Sequence, residues 1–231
     1  MRNPIALSVA AAALLVTASG CLVGPEALDV PIAEYTRKGD WSSWYGNVAT
    51  FNVWGLPVVS KRIGERMPRI GAEFRQNRLD FAIIQEAWRS QDRTTLALSS
   101  GLLFGHSFAV PRTIGSGLFN LSFTPILRNS FREFSMNGKL EEFWEADAYA
   151  GKGAAMTTVR IRGLPVSMFN THTIARYGSA GDEVVDRTST LDRMVQMFEI
   201  FRHIVEQTDS DAFVAGGDFN MRAFQQEYLF W

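Results

Sequence analysis

Residues 81–86, with the sequence FAIIQE, decide how the rest of the chain is interpreted. They begin as an apolar run of strand length and end in an amide, Gln85, and a carboxylate, Glu86. Further strands are predicted at residues 47–54, 104–110, 117–123, 154–161, 165–172 and 212–218. Because these short runs alternate with longer segments of helical period, the sequence predicts a mixed α/β domain.

Two segments have the period of an amphipathic helix. In residues 63–77, steps of four, three and four predict one buried stripe. Its members are Ile63, Met67, Ile70 and Phe74. In residues 191–207, similar spacing predicts a buried stripe of Leu191, Met194, Val195, Phe198, Phe201, Ile204 and Val205. Ser189 and Asp192 are predicted to form the capping box of this second helix.

Three arginines share a face of the first helix, opposite its apolar stripe. They are Arg62, Arg66 and Arg69, and they are interspersed with Glu65 and Glu73. Mixed charges of this kind are typical of a solvated outer face. A phosphate-binding patch is the alternative.

Composition limits the class of protein. The chain has 231 residues, 46% of them hydrophobic, which is enough for one sizeable core. Its 23 basic and 24 acidic residues give a formal net charge of −1, which argues against non-specific nucleic-acid binding. The single cysteine, Cys21, excludes an internal disulfide and a cysteine-cluster metal site, since each needs two thiols or more.

The N-terminus has the pattern of an export signal. Arg2 precedes an apolar run at residues 5–16 that is too short to span a bilayer as a helix. The following Ala18-Ser19-Gly20-Cys21 resembles the lipobox of bacterial lipoproteins, in which the cysteine is lipidated. We expect residues 1–20 to be a signal peptide, residues 21–45 a tether and residues 46–231 the domain. The protein is then exported and anchored in the cell envelope through Cys21, or secreted if the signal is an ordinary cleaved one.

Several predicted strands end in polar side chains. These are Asn52, Glu86, Asn170 with His172, and Asp218 with Asn220. Residues two apart in a strand share a face, so the two side chains of each pair point the same way. Neighbouring strand ends bring such groups together, and carboxylate, amide and imidazole groups suit a hard cation that acts on phosphate oxygens. Taken singly, each residue could instead be a turn former or, for His172, a hydrogen-bonded structural histidine.

The motifs that carry these residues occur in a recognisable order. They are FNVWGLP at 51–57, QEAW at 85–88, GSGL at 115–118, NTH at 170–172 and GDFN at 217–220. Together they resemble the endonuclease/exonuclease/phosphatase superfamily, and WGLP and EAW are most similar to its neutral sphingomyelinase branch. The resemblance covers residues 46–231. It implies a four-layer α/β sandwich, in which two mixed β-sheets pack face to face with helices outside, and a divalent-metal-dependent phosphodiesterase.

The resemblance also implies residue roles. Glu86 would be the principal Mg²⁺ ligand, with Asn52 at the metal or its water shell. His172 would contact the phosphate, with Asn170 also at the phosphate, while Asp218 and Asn220 would orient the attacking water and the scissile phosphate. A carboxylate-based oxygen site suits Mg²⁺ better than Zn²⁺.

The segment DAYAGKG, residues 147–153, resembles a sphingomyelinase segment in which an aspartate and a lysine lie near the site. On that basis Asp147 and Lys152 are expected close to the phosphate. The alternative is a glycine-flanked hairpin turn with an exposed lysine. The segment is not a P-loop, because it lacks the spaced glycine and the hydroxyl after the lysine.

The superfamily depends on a late Asp-His pair whose histidine is the general base. This sequence has three histidines, His106, His172 and His203, and no Asp-His dipeptide after Asp218. We therefore expect the chain to be truncated at its C-terminus, with elements of one sheet missing, and to be inactive if this is so.

The leading hypothesis is an exported Mg²⁺-dependent phosphodiesterase that hydrolyses a sphingomyelin-type phospholipid at a membrane surface to a phosphorylated headgroup and a lipid. The first alternative is a nuclease or phosphatase of the same superfamily, which the slightly negative net charge and the WGLP motif disfavour. The second is a phosphate-binding lipoprotein that has lost its base. Nothing in the sequence implies an oligomer.

Overall fold

The computed structural model describes residues 45–57, 59–110, 114–136, 150–175, 183–210 and 212–221, with residues 183–189 described as backbone alone. The predicted signal, Cys21 and Asp147 lie outside these residues, as does the predicted tether apart from Tyr45. The elements, in chain order, are β1 (Val48–Asn52), α1 (Ile63–Gln76), β2 (Phe81–Gln85), α2 (Ser90–Ser100), β3 (Phe104–Ser107), β4 (Phe119–Ser122), β5 (Ile126–Glu133), β6 (Gly153–Ile161), β7 (Leu164–His172), α3 (Glu183–Gln207) and β8 (Ala212–Asp218).

The strands form two four-stranded sheets with the orders β1-β2-β4-β3 and β5-β6-β7-β8. Each sheet is mixed, because β1 and β2 are parallel, β7 and β8 are parallel, and the remaining pairs are antiparallel. Helices α1 and α2 pack against the outer face of the first sheet, and α3 packs against the outer face of the second. The predicted four-layer α/β sandwich is confirmed.

Alternation along the strands explains this layering. In β2, Ala82 and Ile84 pack against α1 and α2, whereas Phe81 and Ile83 point at the other sheet. Because successive strand side chains face opposite sides, a strand of this kind can fill two cores at once. The core between the sheets consists of Phe81, Ile83, Val159, Ile161, Val166 and Met168.

Two elements were not expected from the sequence. Strand β5 has the sequence ILRNSFRE and is half exposed, so it lacks a clear apolar alternation. Helix α2 is rich in serine and threonine, which favour caps and turns. The Thr94, Thr95 and Ser99 hydroxyls instead donate to the carbonyl four residues earlier, which accommodates them within the helix.

The expectations for α3 are wrong in two respects. The helix begins at Glu183, so Ser189 and Asp192 lie inside it and do not cap it. The predicted stripe also faces largely outward, since its exposed members are Leu191, Val195, Phe198, Phe201 and Val205. The face on the sheet carries Met197, Ile200 and Ile204 together with the buried polar residues Arg193, Gln196 and His203. Apolar residues occur on both faces of this helix, so periodicity alone chose the wrong one.

Gln196 shows why a polar side chain belongs on the buried face of α3. Its Oε1 accepts a hydrogen bond from the Ile174 N–H at 2.8 Å, and its Nε2 donates to the Met136 carbonyl at 2.7 Å. Two loop backbones are thereby tied to the helix.

Among the described residues no helix combines the length and apolar character needed to cross a bilayer.

Candidate active site

The side chains between the two sheets become polar toward one edge of the sandwich. The inward series are Val48, Thr50, Asn52 on β1; Phe81, Ile83, Gln85 on β2; Val166, Met168, Asn170, His172 on β7; and Ala212, Val214, Gly216, Asp218 on β8. Strand β1 lies against β8, and β2 lies against β7 and β8. The carboxyl ends of all four strands therefore meet, and the predicted polar residues meet with them.

Asn52 joins the two sheets at this edge. Its Nδ2 donates to Glu86 Oε1 at 2.8 Å and to Asp218 Oδ2 at 2.8 Å. Its Oδ1 accepts a hydrogen bond from the Trp54 N–H at 2.8 Å. A backbone N–H requires an acceptor and carboxylates require a donor, so the orientation of the amide is settled by its partners. The amide oxygen accepts one hydrogen bond and keeps a second lone pair, so Asn52 holds two carboxylates here while its role at the metal or its water shell stays a prediction.

Glu86 is placed by a close approach of two strand ends. The Val53 and Gly55 N–H groups donate to the Gln85 and Glu86 carbonyls at 3.0 and 3.1 Å. A Cβ on Gly55 would lie 2.4 Å from the Glu86 carbonyl oxygen, so only glycine fits there. Glu86 itself has a positive φ of 57°, which turns its side chain out of the strand path.

The GSGL motif supports the same carboxylate from the other side. The Ala87 N–H donates to the Gly117 carbonyl at 2.9 Å. The ring of Trp88 lies so close to Gly117 that a Cβ there would come within 2.7 Å of it. Three of the motifs identified in the sequence, FNVWGLP, QEAW and GSGL, are therefore parts of one support for Glu86.

His172 and Asp218 face each other across the parallel pair of β7 and β8. The distance from His172 Nε2 to Asp218 Oδ2 is 3.9 Å, and the imidazole is almost fully buried. The other Asp218 oxygen, Oδ1, accepts a hydrogen bond from the Asn220 N–H at 3.0 Å. Asn220 is held in turn, because its Nδ2 donates to the Thr173 carbonyl at 3.0 Å. The structure thus brings His172, Asp218 and Asn220 together with Asn52 and Glu86.

Lys152 lies at the same edge and is 2% exposed. Its Nζ donates to the Thr173 carbonyl at 2.6 Å, the same oxygen that Asn220 reaches. The alternative of an exposed lysine on a hairpin is therefore wrong. A buried ammonium next to the end of β7 is consistent with the predicted position close to the phosphate.

Asn170 does not lie where the phosphate was expected. It is 1% exposed and sits between the sheets, beneath the edge. Its Oδ1 accepts from Gln85 Nε2 at 2.9 Å, and its Nδ2 donates to Asn120 Oδ1 at 2.8 Å and to the Ile84 carbonyl at 3.0 Å. With both ends of its amide engaged inside the protein, Asn170 does not fit the predicted phosphate-binding role. Asn170 and His172 do share a face of β7, as predicted. Strand periodicity does not show how far below the edge of the sandwich a residue on that face lies.

Three residues with evident roles were not identified from the sequence. Gln85 and Asn120 complete the buried network around Asn170, and their only signal is that each is a polar residue within an apolar strand. Arg66 was expected on a solvated face. Its guanidinium instead binds the Val53 and Trp54 carbonyls, each at 2.7 Å, next to the site. Arg62 and Arg69 are exposed, as expected.

The other two histidines lie away from this edge. His106 is on strand β3 and packs against Phe108 with ring centroids 4.8 Å apart. His203 is buried on α3, where desolvation and nearby arginines lower its pKa to about 4. His172 is thus the histidine that the described residues bring to the site.

The donor set can be tested for its fit to a metal. Within the described residues, no group of three or more His, Cys, Asp and Glu side chains is spaced to hold a metal ion. The edge instead offers two carboxylates, Glu86 and Asp218, separated by one amide. Mg²⁺ is commonly bound through one or two carboxylates, with water and substrate phosphate completing its shell. The residues therefore fit Mg²⁺ and do not fit an all-protein cage.

Known proteins resemble this chain in sequence and in fold. No protein-family model matches the chain. It is 31% identical over 178 residues to the inositol phosphosphingolipids phospholipase C of Schizosaccharomyces pombe, a match that covers 76% of this chain and 41% of the relative. It is 28% identical over 177 residues to human sphingomyelin phosphodiesterase 2, covering 75% and 40% of the two chains. The chain thus spans about two fifths of the length of these curated relatives.

A solved structure shows the same fold. A variant of beta toxin from Staphylococcus aureus with bound magnesium ions aligns with a TM-score of 0.64 at 19% identity, over 79% of this chain and 67% of that one. The fold of this chain is therefore shared with that toxin. By sequence the chain is a relative of the neutral sphingomyelinases and inositol phosphosphingolipid phospholipases C, and its fold is that of the endonuclease/exonuclease/phosphatase superfamily.

Proposed function

We propose that the protein is a magnesium-dependent phosphodiesterase that hydrolyses a sphingomyelin-type phospholipid to a phosphorylated headgroup and a lipid. The observation that carries the proposal is the bridge from Asn52 to Glu86 and Asp218, 2.8 Å on each side. It holds two carboxylates from different sheets within reach of one small cation, and His172 lies beside the second carboxylate. The names of the relatives, which refer to sphingolipid hydrolysis, support the substrate class.

Magnesium would be held by Glu86 and Asp218, where it would neutralise charge on the anionic phosphodiester. The chain's own residues supply the remaining functions. Both oxygens of Asp218 are oriented by N–H donors, from Asn52 and Asn220, so the carboxylate has a fixed direction in which to bind the cation and orient a water molecule. When protonated, His172 can donate a hydrogen bond to a phosphate oxygen and stabilise its developing charge.

Lys152 and Asn220 act on the backbone that carries these groups. Both donate to the Thr173 carbonyl, which directly follows His172 in the chain. The Thr173 N–H also donates to the Asp218 carbonyl at 3.0 Å. The ends of β7 and β8 are thereby fixed relative to each other, which preserves the spacing of His172 and Asp218.

Hydrolysis of sphingomyelin vesicles by the whole protein, measured as phosphocholine release with Mg²⁺ and with a chelator, tests this function. We expect Glu86→Gln to lower kcat by about a hundredfold or more, because a preorganised electrostatic group contributes about 10²–10³ to the rate. Glu73→Gln is the matched control, since Glu73 is an exposed carboxylate on α1.

Equal rates for the wild type and Glu86→Gln would refute the metal assignment. Cleavage of DNA in place of lipid would favour the nuclease alternative. Binding of Mg²⁺ without turnover of any of these substrates would favour a phosphate-binding lipoprotein.

The proposed function includes export and anchoring through Cys21, which would keep the enzyme at a lipid surface. The support is the signal-like run at residues 5–16 and the small residues before the cysteine. We expect Cys21→Ala to move the protein from the membrane fraction to the soluble fraction after cell lysis. Unchanged membrane association of Cys21→Ala would contradict lipid anchoring.

A further inference from the structure

The loop between β1 and α1 has an unfavourable backbone next to the site. Trp54 has a φ of 47° and Arg62 a φ of 52°, which is the left-handed region that residues with a Cβ seldom occupy. Such residues persist only where surrounding contacts determine their conformation. Trp54 lies two residues after Asn52, so whatever holds Trp54 bears directly on the site.

The guanidinium of Arg66 makes contacts that hold this loop. Its Nη1 and Nη2 donate to the Val53 and Trp54 carbonyls at 2.7 Å, and its Nε donates to the Lys61 carbonyl at 3.0 Å. The same group lies over the Trp54 ring, with its carbon 5.2 Å from the ring centroid. One side chain therefore binds both ends of the loop and the left-handed residue within it.

The effect of this clamp reaches the carboxylates through two hydrogen bonds. The Trp54 N–H donates to Asn52 Oδ1 at 2.8 Å, and this fixes which end of the amide faces the site. Asn52 Nδ2 then donates to Glu86 and Asp218. The Val53 carbonyl and the Trp54 N–H belong to the same peptide unit, so a rotation of that unit away from Arg66 would turn the N–H away from Asn52 Oδ1. The Asn52 amide would then be held at its nitrogen end alone.

We propose that Arg66 is a positioning residue for the active site. It fixes the backbone of Trp54, and this backbone orients the amide of Asn52. The oriented amide in turn aligns Glu86 with Asp218. Arg66 touches none of the reacting atoms. Lysine cannot replace it, because a single ammonium cannot reproduce the planar fork that binds three carbonyls. The inference rests on the proposed function only where it concerns turnover, since the alignment of Asn52 is a property of the protein alone.

The test compares Arg66→Met and Arg66→Lys with Arg69→Met, an exposed arginine of the same helix. We expect both Arg66 variants to lower kcat for sphingomyelin by about a hundredfold with a smaller change in KM, as a misplaced catalytic group does. We also expect a higher Mg²⁺ concentration for half-maximal rate. Arg69→Met should match the wild type. A further variant, Arg66→Ala, leaves space for a free guanidinium, and added methylguanidine should partly restore its rate.

A readout independent of turnover separates this inference from the proposed function. The side-chain NH₂ of Asn52, followed by NMR, should be protected from exchange with water in the wild type and should lose that protection in Arg66→Met. If the wild type does not hydrolyse sphingomyelin but this change is seen, the proposed function fails and the positioning role stands. Unchanged Asn52 protection in a folded Arg66→Met, or a loss of rate no larger than the unfolded fraction measured by thermal melting, would overturn the positioning role.

Discussion

The space between the two sheets has an apolar end and a polar end. At the apolar end Phe81, Ile83, Val166 and Met168 pack with Val159 and Ile161 as an ordinary core. At the polar end the same strands contribute Gln85 and Asn170, which meet Asn120 and Thr157. Both ends are buried. The difference is that apolar contacts tolerate small shifts between the sheets, whereas hydrogen bonds constrain distance and direction.

The polar end forms a directed chain across the sandwich. Gln85 donates to Asn170, Asn170 to Asn120, Asn120 to Thr157 at 2.9 Å, and Thr157 to Asn129 at 3.0 Å. We call Gln85, Asn170, Asn120 and Thr157 the interlayer network. Because the candidate site draws Glu86 from one sheet and Asp218 from the other, its geometry depends on the offset between the sheets. The network fixes that offset directly beneath the site.

Asn170→Leu, at the polar end, is expected to cause the largest loss of stability and activity. The change removes the acceptor of the shortest Gln85 hydrogen bond and the donor to Asn120 Oδ1, and a buried polar atom that loses its partner should cost about 1–3 kcal/mol of the free energy of unfolding. Activity should also fall in the fraction that remains folded. Denaturant unfolding, together with the rate measured under conditions where the variant is fully folded, provides the check.

Ile83→Val is the matched control at the apolar end. It should cost about 0.5–1.5 kcal/mol of unfolding free energy and leave the rate of the folded protein unchanged. An equal loss of rate in Ile83→Val, or an unchanged rate in folded Asn170→Leu, would remove the distinction between the two ends.

A smaller effect is expected in the pH dependence of the unfolding free energy. The interlayer network contains no titratable group, so acid sensitivity should originate elsewhere, and His203 on α3 is the expected source. Burial, with Arg132 and Arg128 nearby, lowers its pKa from 6.5 to about 4, against the opposing influence of Glu206. The stability that neutral His203 provides is complete above pH 6.5 and is lost as the pH falls toward 4. Between pH 7.5 and 5 the loss should be about 2 kcal/mol.

Thermal melting of the wild type and His203→Gln across this pH range measures the effect. The curves should converge at low pH, because the variant has no proton to bind on unfolding at that position. The unfolding free energy of Asn170→Leu should lie below that of the wild type by the same amount at pH 7.5 and at pH 5. A parallel pH dependence in the wild type and His203→Gln would assign the acid sensitivity to another group.

The sequence predicted the strands best where an apolar run had sharp polar or glycine boundaries. The bounds of β2 and β8 are those expected, since FAII ends in Gln85-Glu86 and the run in β8 ends in Gly217-Asp218. The buried face of α3 was predicted wrongly because its interior contacts are partly polar, as with Gln196. A hydrogen-bonded polar group can replace apolar burial without leaving a periodic signal.

The candidate site shows the same limit. Strand ends and motif order were sufficient to bring Asn52, Glu86, His172 and Asp218 together. They did not reveal that Asn52 presents its nitrogen to the carboxylates, which depends on a hydrogen bond from Trp54. Nor did they reveal the clamp by Arg66, because a side chain that binds backbone carbonyls has no sequence partner to pair with.

The left-handed residues have a consequence for engineering. Among the described residues, Trp54, Arg62, Arg78, Glu86, Arg162 and Asn220 have a positive φ without being glycine. A routine way to make a protein more robust is to put glycine at such positions and relieve the backbone. At Arg78 and Arg162 that exchange leaves the catalytic machinery intact. At Trp54, Glu86 and Asn220 the glycine substitution would remove side chains at or next to the site and loosen the turns that direct them. A more stable backbone at these positions would therefore come with a loss of activity.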